Sequence, residues 1–453
     1  MGVRSAVGRR WVLLVDAWRT RLWPVPTVGV LLAIAGGIAL TELDRALDDR
    51  LPATVTDVLF GGGPAAAREV LGAVATSMIT VTSLTFSLTL VTLQLASSQF
   101  SPRLLRTFVR DRFVQRTLAL FLATFTYALT VLRTVRDDEE FVPRIAVTLC
   151  FALTLLSVLA LVLFLAHLVR EIRVETMLRN VYADGLETAC ELLPLEDAED
   201  ADAPPGVRFT GIPRSAPVVP APASGFLVHA DGGALLAAAV DHDAVIAVTR
   251  KPGAWLVAGT PVGRVWPDRD GADFDADQLA TLCDRVSGAI NTGNERTSVQ
   301  DAAFAIRQLT DVAVKALSPG INDPTTAVHA LGHSSALLCA LAKRRLGPVI
   351  LSDENGTPRV VLAGPEYAEL LDEALAQPRY YGAADAAVLQ RIVDLLGEVA
   401  WCAVDSDQRA AVARQLALAK RDVAQQDFDP ERRHTLLRAC RSVESALDGR
   451  RAS

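Results

Sequence analysis

Between Glu69 and Arg103 the chain carries no charged residue. An uncharged apolar run longer than about 18 residues reads as a membrane-crossing helix. The stretch from Ala65 to Gln99 exceeds what one crossing needs. At ~1.5 Å rise per residue, some ~35 helical residues reach ~50 Å, against a hydrocarbon core of ~30 Å. The helix is therefore expected to cross the membrane and continue into the cytoplasm, ending near Ser101-Pro102.

The same stretch carries two polar lines. Thr76, Thr80, Ser83, Ser87, Gln94 and Ser98 follow 4-3-4-7-4 spacing, which gathers them in a narrow sector of one helix face. Thr82, Thr85, Thr89 and Thr92 fall on roughly the opposite face. Two roles are open to such lines. One is helix packing, with hydroxyls bonded across helices or back to their own carbonyls. The other is lining a hydrated path. One line can serve each role, and the first line is the candidate path-facing set.

Further apolar runs give four spans in residues 25–170, at about 25–41, 69–98, 117–134 and 145–168. Arg4, Arg9, Arg10, Arg19 and Arg21 precede the first span. Arg103, Arg106, Arg110, Arg112 and Arg116 join the second to the third, and Arg170, Arg173 and Arg179 follow the fourth. The other two loops are acidic. The positive-inside rule then places both termini in the cytoplasm of a bacterial inner membrane. Residues 1–24, with Trp11, Trp18 and Trp23 among the arginines, read as a basic interfacial segment. The short run Trp11–Val15 is no signal-peptide core. Gly61-Gly62-Gly63-Pro64 reads as a turn before the long helix. His167 reads as a boundary residue at a span end.

The remainder has ordinary globular composition. Residues 171–222 read as a connecting helix followed by a Pro/Ala/Asp-rich linker. Residues 223–268 read as a small β-rich module, with strands at Gly225–Ala230 and Ala244–Arg250, a helical turn between them, and turns at Lys251-Pro252-Gly253 and Ala258–Pro261. The repeated glycine turn resembles a lipoyl-type barrel-sandwich, without its lysine at a hairpin tip. Residues 275–453 read as a mostly helical domain. Ser298 to Leu317 has one apolar face, a second helix starts at Pro324, and Glu354-Asn355-Gly356 marks a hairpin near 349–363. Four helices follow Glu366. The fold class is thus an α-helical membrane protein with four spans and a cytoplasmic α+β region.

The stretch Asn294 to Ala330 holds the most distinctive motifs: Arg296, Gln300 and Asp301 at Arg-x-x-x-Gln-Asp spacing, Ile306-Arg307-Gln308-Leu309, and Ala316 to Pro324. With Phe86-Ser87 and Gln99-Phe100-Ser101-Pro102-Arg103 in the membrane half, these make the chain resemble a widespread bacterial family of predicted membrane proteins, domain of unknown function 2254. The resemblance covers nearly the whole chain and implies four spans plus a cytoplasmic region. It carries no known activity.

Helix ends explain much of the second motif. Gly320 can take the left-handed position that stops one helix, Asp323 can cap the next, and Pro324 suits its first turn. The functional alternative gathers Arg296, Gln300, Asp301, Arg307, Gln308, Asn322 and Asp323 into a polar ligand pocket at a helix–helix corner, whose free amides favour an anion. His329 and His333 share a helix face, and Asp241-His242-Asp243 forms a loop trio. Neither set has the further ligands of a metal site, and no metal or cofactor is assigned.

A net charge of −7 disfavours nucleic acid as a partner. Six cysteines without C-x-x-C pairs argue against a zinc ribbon or disulfide framework. There is no Ser-His-Asp order, Walker loop or Rossmann fingerprint, which points away from an enzyme. The partners expected are the lipid bilayer, further copies of the chain, and an unidentified small ligand or ion. The leading expectation is an oligomer that passes or regulates ions or small solutes. The alternative is a membrane-anchored sensory or binding scaffold.

Overall fold

The structure is a computed structural model. It describes residues 23–47, 59–99, 111–135, 141–171, 173–195, 211–268 and 273–449. The basic segment 1–22, Phe100–Arg110, the acidic loop Asp137–Glu140 and the linker 196–210 lie outside the described residues. The chain divides into two compact units, residues 1–176 and 177–453.

The first unit holds α1 (Pro24–Leu47), α2 (Pro64–Gln99), α3 (Arg112–Leu132) and α4 (Arg144–Glu171). By length and composition all four can cross a membrane. The central helix is α3, packed against the other three. The core joins Leu71 and Met78 of α2, Phe121, Ala128 and Val131 of α3, and Val147 and Cys150 of α4. Gly37 permits the close α1–α3 approach, since a Cβ there would sit 2.9 Å from the Thr130 methyl.

In an apolar surrounding each polar group needs a protein partner. Most of the threonine hydroxyls supply their own, although the buried Thr85 hydroxyl has no partner among the described residues. Thr41, Thr82, Thr89, Thr92, Thr124 and Thr130 each donate to the carbonyl four residues earlier, at 2.7–2.9 Å. Across helices, the Thr124 and Ser157 hydroxyls lie 3.1 Å apart, and the Tyr127 hydroxyl donates to the Ala146 carbonyl.

Two boundaries differ from the sequence reading. The first helix runs past its apolar stretch to Leu47 because Asp44 turns inward. Its carboxylate accepts from the Ile145 and Ala146 amides at 3.0 and 2.9 Å, capping α4 from 101 residues away. Arg45 bonds Glu42 and lies over the Phe141 ring. The third helix starts at Arg112, ahead of 117, because Asp111 caps it through the Phe113 and Val114 amides.

The second unit begins with α5 (Val174–Leu192), the bulk of which belongs to it. There follow β1 (Val218–Pro220), β2 (Gly225–Ala230), α6 (Gly232–Asp241), β3 (Ala244–Val248), β4 (Trp255–Leu256), β5 (Pro261–Pro267), α7 (Ala276–Gly288) and β6 (Ile290–Gly293). Next come α8 (Phe304–Ala316), α9 (Pro324–Leu341), β7 (Val349–Ser352), β8 (Pro358–Leu362), α10 (Tyr367–Gly382), α11 (Ala386–Cys402), α12 (Ser406–Gln425) and α13 (Pro430–Leu447).

One sheet runs β1-β5-β3-β8-β7 and a second runs β4-β2-β6. The barrel-sandwich likeness fails here. A helix, α6, separates β2 from β3, and the β7–β8 hairpin joins the sheet with β8 parallel to β3, Ile246 opposite Val360. The β-rich stretch and the later hairpin therefore share one sheet. The reason lies in β3: Ala-Val-Ile-Ala-Val is buried at every position, as a strand covered on both faces must be. Ile246, Val265, Leu235, Leu282 and Val360 form one core. Buried Arg359 ties the hairpin down through Asp353 at 2.9 Å, Asp268 at 3.0 Å and Asp243 at 3.3 Å.

The Asp44 cap generates a test. Asp44→Ala leaves two first-turn amides of α4 without their acceptor, and stability in detergent is expected to fall by ~1–3 kcal/mol. Asp44→Asn, which keeps one acceptor oxygen, should lose less. A thermal-unfolding midpoint equal to wild type for Asp44→Ala would disprove the cap.

Candidate functional site

Two candidate sets can be placed. On α2, Thr76, Thr80, Ser83, Ser87 and Gln94 are all exposed, while Thr82, Thr85 and Thr92 are buried and Thr89 is half-buried. The Ser98 side chain lies outside the described ones. Within its own bundle, then, the helix turns one polar line inward and leaves the other uncovered. The Thr80 hydroxyl bonds the Thr76 carbonyl at 2.9 Å, so part of the outer line is satisfied locally.

The second set divides. Residues 294–303 are not helical, and α8 starts at Phe304, later than Ser298, because Gln300 and Asp301 are held elsewhere. The Gln300 amide makes a two-way bond with the Ala230 backbone, accepting at 2.9 Å and donating at 3.2 Å. Asp301, 3% exposed at its side chain, receives Arg296 Nε at 2.5 Å and Nη2 at 3.2 Å, and the Ala303 amide at 3.1 Å. Burial pushes the Asp301 carboxyl above the ordinary range, while Arg296 pulls the other way. Gly253, at φ +83°, lies directly against this ion pair, where a Cβ would collide with both partners.

Arg296, Gln300 and Asp301 line a cleft of ~620 Å³ together with Lys251, Glu369 and Arg414. Lys251 is paired with Glu369. Arg307 is not in the lining. It bonds Asp311 at 2.8 Å and Glu373 at 3.0 Å, joining α8 to α10 beside the cleft. Gln308 is half-buried on α8 and is not in the lining either. Asn322 and Asp323 lie beyond the far end of α8, so the seven residues do not form one pocket.

The corner after α8 also differs from expectation. The residue in the left-handed region is Asn322, at φ +50°, and not Gly320. Asn tolerates that region through its short polar side chain. Asp323 does cap α9: its carboxylate accepts from the Thr326 amide and hydroxyl, which hold its pKa below the ordinary range.

Lys251, Gly253, Glu369 and Arg414 escaped the sequence reading. The Lys-Pro-Gly turn is visible in sequence, but its docking on the Arg296–Asp301 pair depends on the tertiary fold. In the first unit, His167 does more than mark a boundary. Its Nε2 lies 2.5 Å from Asp111 Oδ2, and its ring lies against Phe113. Asp241 pairs with Arg285 and Asp243 with Arg359, so these carboxylates serve arginines. Among the described residues no three His, Cys, Asp or Glu side chains gather as a metal site.

A bundle of four span-length apolar helices joined to an α+β region is the architecture of a predicted multi-span membrane protein. The chain belongs to the family described as "Predicted membrane protein (DUF2254)", whose model matches residues 19–398. It is similar to an uncharacterized protein of Mycobacterium bovis and one of Mycobacterium tuberculosis. Each is 36% identical over 457 residues, covering 97% of this chain and 83% of the relative. No solved structure matches.

Two variants test the corner. Arg296→Met leaves Asp301 buried without its cation, an expected loss of ~3–5 kcal/mol at neutral pH. The folded pKa of Asp301 already lies above its unfolded value, so its ionisation opposes folding as pH rises, and losing Arg296 enlarges that penalty. The deficit should shrink in thermal unfolding at pH 5.5. A pH-independent deficit would sink the account. Asn322→Ala should cost ~1–2 kcal/mol, because Cβ disfavours the left-handed region, while Asn322→Gly should be near neutral.

Proposed function

We propose that the protein is a homo-oligomer whose α2 helices together line a path for ions or small solutes, with the second unit regulating it from the cytoplasm. The orientation comes from the arginine distribution. The observation that carries this reading is the exposure of Thr76, Thr80, Ser83, Ser87 and Gln94 along one face of a span-length helix. Facing hydrocarbon, Gln94 and the serines would lose water without gaining partners. Facing one another around an axis, they keep water or bond across copies.

A second reading rests on a different observation. The cleft between the Lys251–Gly253 turn, residues 296–303 and α10 is large enough for a small ligand. The alternative is therefore a scaffold in which the spans anchor a binding domain.

The test uses membranes holding the full chain with Cys190, the exposed native thiol, changed to Ser. Ser87→Cys should cross-link between copies under oxidation, whereas Leu156→Cys on the outer face of α4 should not. Reconstituted liposomes should pass a small-ion tracer, and Ser87→Leu should slow it. A monomer in native membranes with no flux would refute the path. Ligand binding that survives such a result would favour the scaffold.

A further inference from the structure

The helices α1 and α2 each lean on α3 and leave a groove of ~540 Å³ between them. Pro26, Val30 and Leu31 form one wall, Phe86 stands in the other, and Leu118 and Leu122 of α3 make the floor. Of the three hydroxyl residues on its walls, Thr27, Thr82 and Ser83, two are bonded to their own helix. Thr27 donates to the Trp23 carbonyl at 2.8 Å and Thr82 to the Met78 carbonyl at 2.7 Å. The groove is thus a mainly apolar slot, and Ser83 at its edge also belongs to the polar line on the same helix. At ~100° per residue, Phe86 stands ~80–90° around α2 from the Ser87–Thr76 line. It falls between that line and the buried face.

The groove sits at one end of the bundle. It uses the first two turns of α1, the second and third turns of α3 and a part of α2 that lies ~27–33 Å along that helix. At that same end α3 opens with Arg112 and Arg116, one turn apart, exposed, and without an ion pair among the described residues. Trp23, 53% exposed, begins the α1 wall. Tryptophan and arginine at a span end mark the headgroup level.

We propose that this groove is a binding site for one acyl chain of an anionic phospholipid, whose phosphate is met by Arg112 and Arg116. The charge pattern favours this occupant over a second copy. A two-fold contact through the groove would bring the arginine pairs of both copies to the same level, where they repel. An anion-headed lipid supplies hydrocarbon for the slot and negative charge for the arginines in one molecule. The site needs α1, α2 and α3 to lie in a bilayer. It does not need a path along the polar line.

The test uses purified full-length protein, delipidated and then given phosphatidylglycerol or phosphatidylcholine of matched chains, one set bearing an acyl-chain diazirine. Cross-links are expected on peptides containing Thr82–Phe86, Pro26–Leu31 or Leu118–Leu122, with phosphatidylglycerol labelling several-fold above phosphatidylcholine. Thr27→Trp, which fills the slot from its exposed rim, should reduce labelling several-fold. Arg112→Gln with Arg116→Gln should abolish the headgroup preference and leave chain labelling in place. Labelling spread evenly over the exposed leucines and valines of α4 would overturn the proposal, and wild-type protein alone can give that result. So would a change of oligomeric mass in Thr27→Trp, which would assign the groove to a second copy. Ser87 cross-linking reports the oligomer separately, so either reading can fail without the other.

Discussion

A polar group placed in hydrocarbon must find its partner within the protein, and the span-length helices of the first unit largely meet that requirement. Thr82, Thr89 and Thr92 close onto carbonyls of their own helix, so α2 presses a hydroxyl-bearing face against its neighbours with most of its donors satisfied, the buried Thr85 hydroxyl being the exception among the described residues. In lipid, hydrophobic burial would not drive this packing, since lipid tails are as apolar as leucine. Close fit at Gly37 and the few interhelical polar contacts carry more weight than they would in water. Asp44 is the clearest case. The first amides of a helix lack intrahelical partners, and a carboxylate there both accepts their hydrogen bonds and suits the helix dipole. The end of α1 is thereby fixed to the start of α4 independently of the loops.

The second unit holds an apolar core of its own, and in water burial is worth ~1.5–3 kcal/mol for each fully buried large aliphatic side chain. Polar ties decide where the apolar elements meet. Arg359 holds the β7–β8 hairpin to the turn after α6, and Arg307 holds α8 to α10. The Arg296–Asp301 pair differs from both because its carboxylate is almost wholly buried. Such a pair contributes little net stability against an apolar substitute, yet is costly to break. It acts as a register pin: the Lys251–Gly253 turn fits only where glycine leaves room for it.

What could be read from sequence follows the range of each interaction. Span-length helices are legible because the absence of charge between Glu69 and Arg103 is a local property. The cap at Asp323 is legible for the same reason, since its carboxylate accepts from an amide three residues on. The Asp44 cap and the pairing of β8 with β3 span about a hundred residues and leave no local mark. The stretch 298–303 carries a helical pattern, yet Gln300 and Asp301 are drawn to Ala230 and Arg296, and tertiary bonds override the periodicity. Of the polar residues gathered as one pocket, Arg296, Gln300 and Asp301 meet at the cleft. Arg307 stands beside it, and Asn322 and Asp323 serve the α8–α9 corner.

The three faces of α2 set conditions that no single surrounding meets. Its Thr82–Thr85–Thr92 face is covered by the bundle. The Phe86 flank is mainly apolar and open, with Ser83 at its edge. The Thr76–Gln94 line is polar and open. A helix in uniform lipid has no reason to separate its two open faces by polarity, because hydrocarbon disfavours one of them throughout. If copies of the chain meet along the polar line, lipid occupies the apolar flank, and each open face meets a medium of its own kind. The absence of charge on the line then has a physical consequence. A path bounded by hydroxyls and one amide per copy solvates an ion by dipoles alone, so it has no fixed charge with which to select by sign.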